Sequence, residues 1–288
     1  RCLASVLPQL APGDRVIVQD GASTDGTAAW LAPQPVCVDW RSEPDDGEYC
    51  AINTALQRVQ TDYVWFLPDD DEMQDGAMQA VRRWFADNPD SQVVVGRGRM
   101  VEDLPDGREF SAAPTPHFDG EFTAPRILRG EVSFLSPAIV LRADVLRHMG
   151  TFRTDLMCAD TEYWLRCLQA GVRFDKTDAV LLVYHWHTSN GTKLKSRDLW
   201  LDTVRVYAQY GDRESLDRLL GKTLTAMENS ESLATAPALS FRPLFTGQVM
   251  VAVPTGGQMT ADTVASLLLM RTQDHMTSHG LIGEVQIS

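Results

Sequence analysis

RVIVQD (15–20), PVCVDW (35–40), YVWFL (63–67) and QVVVG (92–96) decide the fold, because each is a run of strand length rich in β-branched or aromatic residues. Between the second and third runs Ala51, Ile52, Ala55, Leu56 and Val59 recur at helical spacing. After the third, Ala77, Val81, Trp84 and Phe85 do the same. Strands alternating with crossover helices predict an α/β fold in which helices flank a mainly parallel, twisted sheet. Outward from this frame, residues 1–10 read as part of an amphipathic helix. Residues 103–130 read as an irregular excursion rich in Pro, Gly and charge, and residues 155–171 as a helix stopped by Gly171.

Beyond residue 221 the pattern weakens into a stretch rich in Ser, Thr, Ala and Pro. A linker is expected at 222–246, dividing a domain at 1–221 from a partial α/β module at 247–288. In that module VMVAVPTGG (249–257) reads as a strand and glycine turn, followed by a helix bearing Val264, Leu267 and Leu268. The same segment reads equally well as a last strand–helix pair docked on the main domain.

The 288 residues, 44% of them apolar, suffice to bury a large core. With 26 basic against 39 acidic residues the formal charge is −13, which argues against a nucleic-acid backbone or an anionic membrane surface as partner. No apolar run approaches the roughly 20 residues of a membrane span, and no signal peptide opens the sequence. Cys2, Cys37, Cys50, Cys158 and Cys167 are odd in number and widely spaced, which indicates neither a disulfide framework nor a zinc site and predicts a reducing, cytoplasmic compartment.

The first three strands are each followed by an acidic segment: DGASTDGT, RSEPDDGEYCAIN and PDDDE. Ligands of parallel sheets bind outside the carboxyl ends of the strands, so these segments converge on one crevice. Asp20 ends a strand and is expected to face that crevice, while Thr24 to Thr27 have the composition of a helix-capping turn. Asp45 and Asp46 precede a helix, with Asn53 one turn in. Asp69, Asp70 and Asp71 crowd three like charges at the mouth of an apolar strand, a costly arrangement that a hard cation such as Mg²⁺ or Mn²⁺ would relieve. CADTEYWLRCL places Asp160 near a helix start, where capping is the simple alternative to chemistry. His185 and His187, two apart on an extended segment, point to one side as metal ligands can. P-loop, dinucleotide, nucleophile-elbow and two-histidine protease motifs are absent from the sequence.

IVQDGASTDGT, SEPDDGEYCAIN, WFLPDDDE and ADTEYWLR, in this order, resemble the family 2 glycosyltransferases of GT-A fold over roughly residues 1–200. The resemblance implies a metal-dependent, inverting transfer of a sugar, of hexosyltransferase type, from a nucleotide-sugar donor to a hydroxyl on a saccharide or glycoconjugate acceptor, in surface polysaccharide or glycoconjugate synthesis. It assigns Asp20 and Asp45 to the nucleotide, with Asn53 and Asp69 beside them. It assigns the acidic motif, Asp70 and Asp71 among it, to the divalent metal, to which the histidine spacing adds His187, and Asp160 to the role of general base. The acidic motif aligns either as Pro68 with Asp70 or as Asp69 with Asp71, so the assignment among the three stays open. Family members open with a strand and loop that are expected to precede Arg1, and 249–270 resembles the start of a second glycosyltransferase-like domain. Two other classes remain open. A nucleotidyltransferase would bring a glycine-rich basic loop, which is not seen, and a silent sugar- or protein-binding module would not need acidic residues at all four motifs.

Overall fold

The computed structural model describes residues 1–103, 109–114, 120–132, 134–187, 196–212, 214–215, 218–219, 241–242 and 251–252. The chain divides into two units, Arg1–Thr123 with Val132–Leu194, and Ala124–Glu131 with Lys195–Ser288.

In the first unit β1 (Val16–Asp20) and β2 (Val38–Ser42) form a parallel pair in the register Val16↔Val38 to Asp20↔Ser42. A parallel pair needs a crossover, and it contains helix α2 (Thr27–Leu31), after α1 (Cys2–Val6) at the chain start. The same unit holds a six-stranded sheet in the order β3 (Tyr63–Trp65), β7 (Ile139–Arg142), β5 (Val93–Asp103), β8 (Phe174–Trp186), β4 (Glu72–Met73), with β6 (Glu109–Pro114) on β5. Strand β7 runs antiparallel to both β3 and β5, and β8 is parallel to β5, so β3, β5 and β8 share one direction. To the parallel framework expected from the sequence the structure therefore adds three antiparallel strands, β4, β6 and β7. Part of the expected irregular excursion is strand β6, which hairpins back on β5.

Helix α3 (Glu48–Leu56) follows β2, and α4 (Ala77–Asp87) follows β4. The α4 residues Ala77, Val81 and Phe85, four apart, form one buried stripe. That stripe packs with Val6, Met73, Val94, Val140 and Leu181 into a single apolar cluster. Gly96 of β5 is required there by space, since a Cβ would run into the Leu181 side chain. Helices α6 (Ala143–Met149) and α7 (Ala159–Gln169) complete the unit, and α7 buries Tyr163, Trp164 and Leu165. In the second unit lie α5 (Ala124–Leu128), α8 (Ser196–Tyr210) and an antiparallel bridge between β9 (Phe241–Arg242) and β10 (Val251–Ala252). Apart from those four strand residues, the linker expected at 222–246 and the module at 247–288 lie outside the described residues. All five cysteines are free thiols, with Cys158 and Cys167 buried.

Arg58, just past α3, ties the β1–β2 pair to the helix above it. Its Nη1 donates to the Asp39 carbonyl (3.2 Å) and carboxylate (3.0 Å), and its Nη2 to the Val18 carbonyl (3.2 Å) and Gln19 Oε1 (3.1 Å). Only a rigid fork can reach both strands at once. Arg58→Met is expected to lower unfolding stability by about 2 kcal/mol, the scale of the charge-assisted bonds removed. Arg58→Lys should recover only part of that loss in urea titrations.

Candidate functional site

Asp20 is 6% exposed at the end of β1, and its carboxylate is held from three directions. It accepts from Ser23 Oγ (2.5 Å), Ser23 N (3.1 Å) and the hydroxyl of its register partner Ser42 (2.5 Å). The Ser23 hydroxyl foremost, then that of Ser42, keep this acid below the usual carboxylate range, against the opposing effect of burial. To make this wrap the chain passes through Ala22 at φ 60°, a left-handed conformation that an alanine adopts at a cost. Downstream, Asp25 accepts from Thr27 N and Oγ1, so this part of the segment is the turn its composition indicated.

Asp45 lies against the first segment at Gly21, where a Cβ would stand 2.9 Å from Asp45 Oδ2. The first and second acidic segments therefore meet at contact distance. Asp45 is exposed and accepts from Gly47 N (2.9 Å), which turns the chain into α3.

Helix α3 points two side chains, one turn apart, at the loop between α6 and α7. Asn53 donates through Nδ2 to the Phe152 carbonyl (2.8 Å) and accepts from Phe152 N (2.9 Å), so both ends of its amide brace backbone. Tyr49 stacks on the Phe152 ring (5.8 Å) and aims its hydroxyl at Asp160 Oδ1 (3.3 Å). Phe152 in turn stacks on Tyr163 (4.2 Å) and meets Phe66 and Trp164 edge-on. Burial first, and the Asp160 charge second, push the Tyr49 phenol up, so it stays a hydrogen-bond donor.

Asp160 is the second residue of α7 rather than its cap, which is Cys158. Its Oδ1 also accepts from Thr161 N (2.7 Å), and its Oδ2 from Ser136 Oγ (2.5 Å). Below it, the wholly buried Glu162 pairs with Arg166 through both oxygens (3.0 and 3.1 Å), and Arg166 Nη2 reaches the Thr151 carbonyl (2.9 Å). A buried acid is tolerated when paired and hydrogen-bonded in this way. This pair anchors the α7 start against the Phe152 loop.

The three aspartates after β3 do not point together. Asp69 is exposed, and Asp70 Oδ2 lies 3.1 Å from His187 Nε2. Asp71 turns inward, wholly buried, where Oδ1 accepts from His185 N (2.9 Å) and Oδ2 has no partner among the described residues. Burial pushes Asp71 up to about 7. The crowding expected from three like charges is thus relieved by divergence and by a carboxyl that is readily protonated. His185 and His187 differ too. His185 is buried, with Nε2 3.1 Å from Glu72 Oε1 and Nδ1 2.5 Å from Arg1 Nη1. A guanidinium only donates, so Nδ1 accepts and Nε2 carries the hydrogen toward Glu72.

A divalent metal fits this corner. Asp70 supplies a carboxylate and His187 an imidazole, an oxygen–nitrogen set compatible with Mn²⁺, and the orphaned buried oxygen of Asp71 lies in the residue beside them. Among the described residues no group of three or more such side chains is gathered as a preformed cage. Tyr49, Ser136 and Phe152 escaped the sequence reading. Tyr49 was recoverable from its spacing four before Asn53 on one helix, whereas Ser136 carries no local signal.

Comparisons with known proteins bear on the family and the fold of the chain. An uncharacterized glycosyltransferase of Mycobacterium tuberculosis strain H37Rv is 30% identical over 156 residues, 52% of this chain and 55% of the relative. The chain thus spans about half the length of this curated relative. An uncharacterized protein of the CDC 1551 strain is 24% identical over 271 residues, covering 90% of this chain and 81% of that one. Among solved structures, Staphylococcus aureus TarS 1–349 in complex with UDP-GlcNAc superposes with a TM-score of 0.59 at 20% identity, over 81% of this chain and 71% of that one. The mannosyltransferase PcManGT from Pyrobaculum calidifontis, in complex with GDP-Man and Mn²⁺, gives 0.51 at 18% over 97% and 78%. These likenesses support the GT-A-type fold. The sequence pattern of glycosyl transferase family 2 matches residues 1–150, more than half of the chain, and the chain belongs to that family.

Proposed function

We propose that this chain moves a sugar from a nucleotide-sugar donor to a hydroxyl of a saccharide or glycoconjugate acceptor, by single displacement with inversion at the anomeric carbon, in surface polysaccharide or glycoconjugate synthesis. One observation carries the reading: Asp160, half-buried, is joined through the Tyr49 hydroxyl to the helix that follows Asp45, which itself abuts the Asp20 turn. A proton acceptor is thereby linked to the two acidic segments assigned to the donor.

In this scheme the Asp20 turn and Asp45 hold the nucleotide, and exposed Asp69 lies beside them. Asn53 serves them indirectly, by bracing Phe152. As the acceptor oxygen attacks the anomeric carbon, its proton passes to Asp160 and the bond to the diphosphate breaks, the electron pair leaving with the diphosphate. One base suffices and no protein nucleophile is needed. Asp70 and His187, with Asp71 behind them, would hold a Mn²⁺ or Mg²⁺ ion, whose charge offsets that of the departing diphosphate.

Two measurements test this. Calorimetry with UDP and with GDP should give binding with Mn²⁺ and none after chelation, because a chain of charge −13 repels an unaccompanied diphosphate. His187→Ala should weaken the metal-dependent part, and equal affinity in chelator would refute the metal. In a panel of UDP- and GDP-sugars, Asp160→Asn should slow turnover by on the order of 10²–10⁴ with donor affinity nearly unchanged. An Asn variant as fast as the parent would remove Asp160 as base, and no turnover with any donor of the panel would count against sugar transfer itself.

A further inference from the structure

We infer that Ser136 is a positioning residue for the reaction, and that with Tyr49 it clamps the Asp160 carboxylate so that the incoming proton has one place to land, Oδ2. The inference rests on the reading of Asp160 as the base.

A carboxylate offers about two acceptor positions on each oxygen. On Oδ1 both are used, since Thr161 N (2.7 Å) and the Tyr49 hydroxyl (3.3 Å) donate to it and Thr161 Oγ1 lies at 3.4 Å. On Oδ2 the described residues supply a single donor, the Ser136 hydroxyl at 2.5 Å. One position on Oδ2 is therefore left for a proton arriving from outside. The direction of the serine hydrogen is fixed as well. Ser136 Oγ accepts from Trp164 Nε1 (3.2 Å), and an indole N–H only donates, so the hydroxyl hydrogen turns to Asp160.

Both clamps stand on rigid support. Ser136 opens a short 3₁₀ turn, Ser136–Ala138, and the next residue's carbonyl, that of Pro137, accepts from Trp65 Nε1 (2.6 Å). Trp164 is 2% exposed. Tyr49 comes from the opposite side, on α3, with its ring stacked on Phe152. The serine thus ties the carboxylate to β3, whose chain continues into the acidic turn, and the tyrosine ties it to the helix after Asp45. Positioning of this kind is where small displacements become large rate losses.

The test uses the full chain with Mn²⁺ and whichever nucleotide sugar of the UDP and GDP panel is turned over, with release of nucleoside diphosphate as the signal. Ser136→Ala is expected to lower kcat by about ten- to a hundredfold, leaving the KM for donor and the melting temperature close to the parent values. Ser136→Thr, which restores a hydroxyl, should recover most of the rate. Tyr49→Phe keeps the ring stack and removes only the hydroxyl, so it should lower kcat with unchanged melting even if the alanine variant folds badly. Because Ser136 acts only through Asp160, the double variant Ser136→Ala/Asp160→Asn should be no slower than Asp160→Asn alone. Parental kcat in Ser136→Ala and Tyr49→Phe beside a dead Asp160→Asn enzyme overturns the clamp and leaves the base standing. A further loss in the double variant also overturns it. Parental turnover in Asp160→Asn overturns the base, and the clamp with it.

Discussion

Phe152 is gripped on every side, and the site depends on that grip. Its backbone N–H and carbonyl are both taken by Asn53, and its ring lies between Tyr49 and Tyr163 with Phe66 and Trp164 at its edges. At 4% exposure the ring is removed from water, so stacking adds to burial. Two stretches far apart in sequence meet in this cluster, α3 with the residue after β3 and the loop before α7 with α7 itself. The Asp160 carboxylate stands at its upper edge, and the Glu162–Arg166 pair pins the same loop from below through the Thr151 carbonyl.

The acidic turn obeys a different constraint. Three adjacent carboxyl groups cannot share one small volume in their charged forms without a large electrostatic cost. The chain resolves this by geometry, sending Asp69 to water, Asp70 to His187 and Asp71 into the protein against the β8 backbone. Strand β4, only two residues long, makes this possible, because its pairing with β8 at Glu72↔Val183 brings His185 and His187 alongside the turn.

Much of this was legible in the sequence, and the part that was not has physical reasons. Strands β1, β2, β3 and β5 and helix α4 were read from runs and periods because burial on one or two faces imposes such patterns. Strand β4 is too short to show a period, β6 lies in a segment dominated by Pro, Gly and charge, and β7, IVLR, has only three apolar residues and merges into the helix after it. Asp160 stood out through the resemblance carried by ADTEYWLR, since its place at a helix start reads by itself as a cap. The Asn53 amide reads from sequence as a ligand-facing group, yet its partner, the Phe152 backbone, lies 99 residues away. Ser136 is invisible for the same reason, since its meaning comes from Trp164 and Asp160, neither of them a sequence neighbour.

The distribution of thiols has a use of its own. Burial pushes both Cys2 and Cys167 up to about 12, so neither offers thiolate near neutral pH, and Cys158 is shut away in the interior. A maleimide dye is thereby directed to Cys37 and Cys50, which are only partly covered. Cys50 is the residue after Tyr49 on α3. With Cys37 replaced by serine, the helix that joins the Asp45 segment to the Asp160 carboxylate carries its own attachment point, from which its motion can be followed by fluorescence without adding a foreign residue to the site.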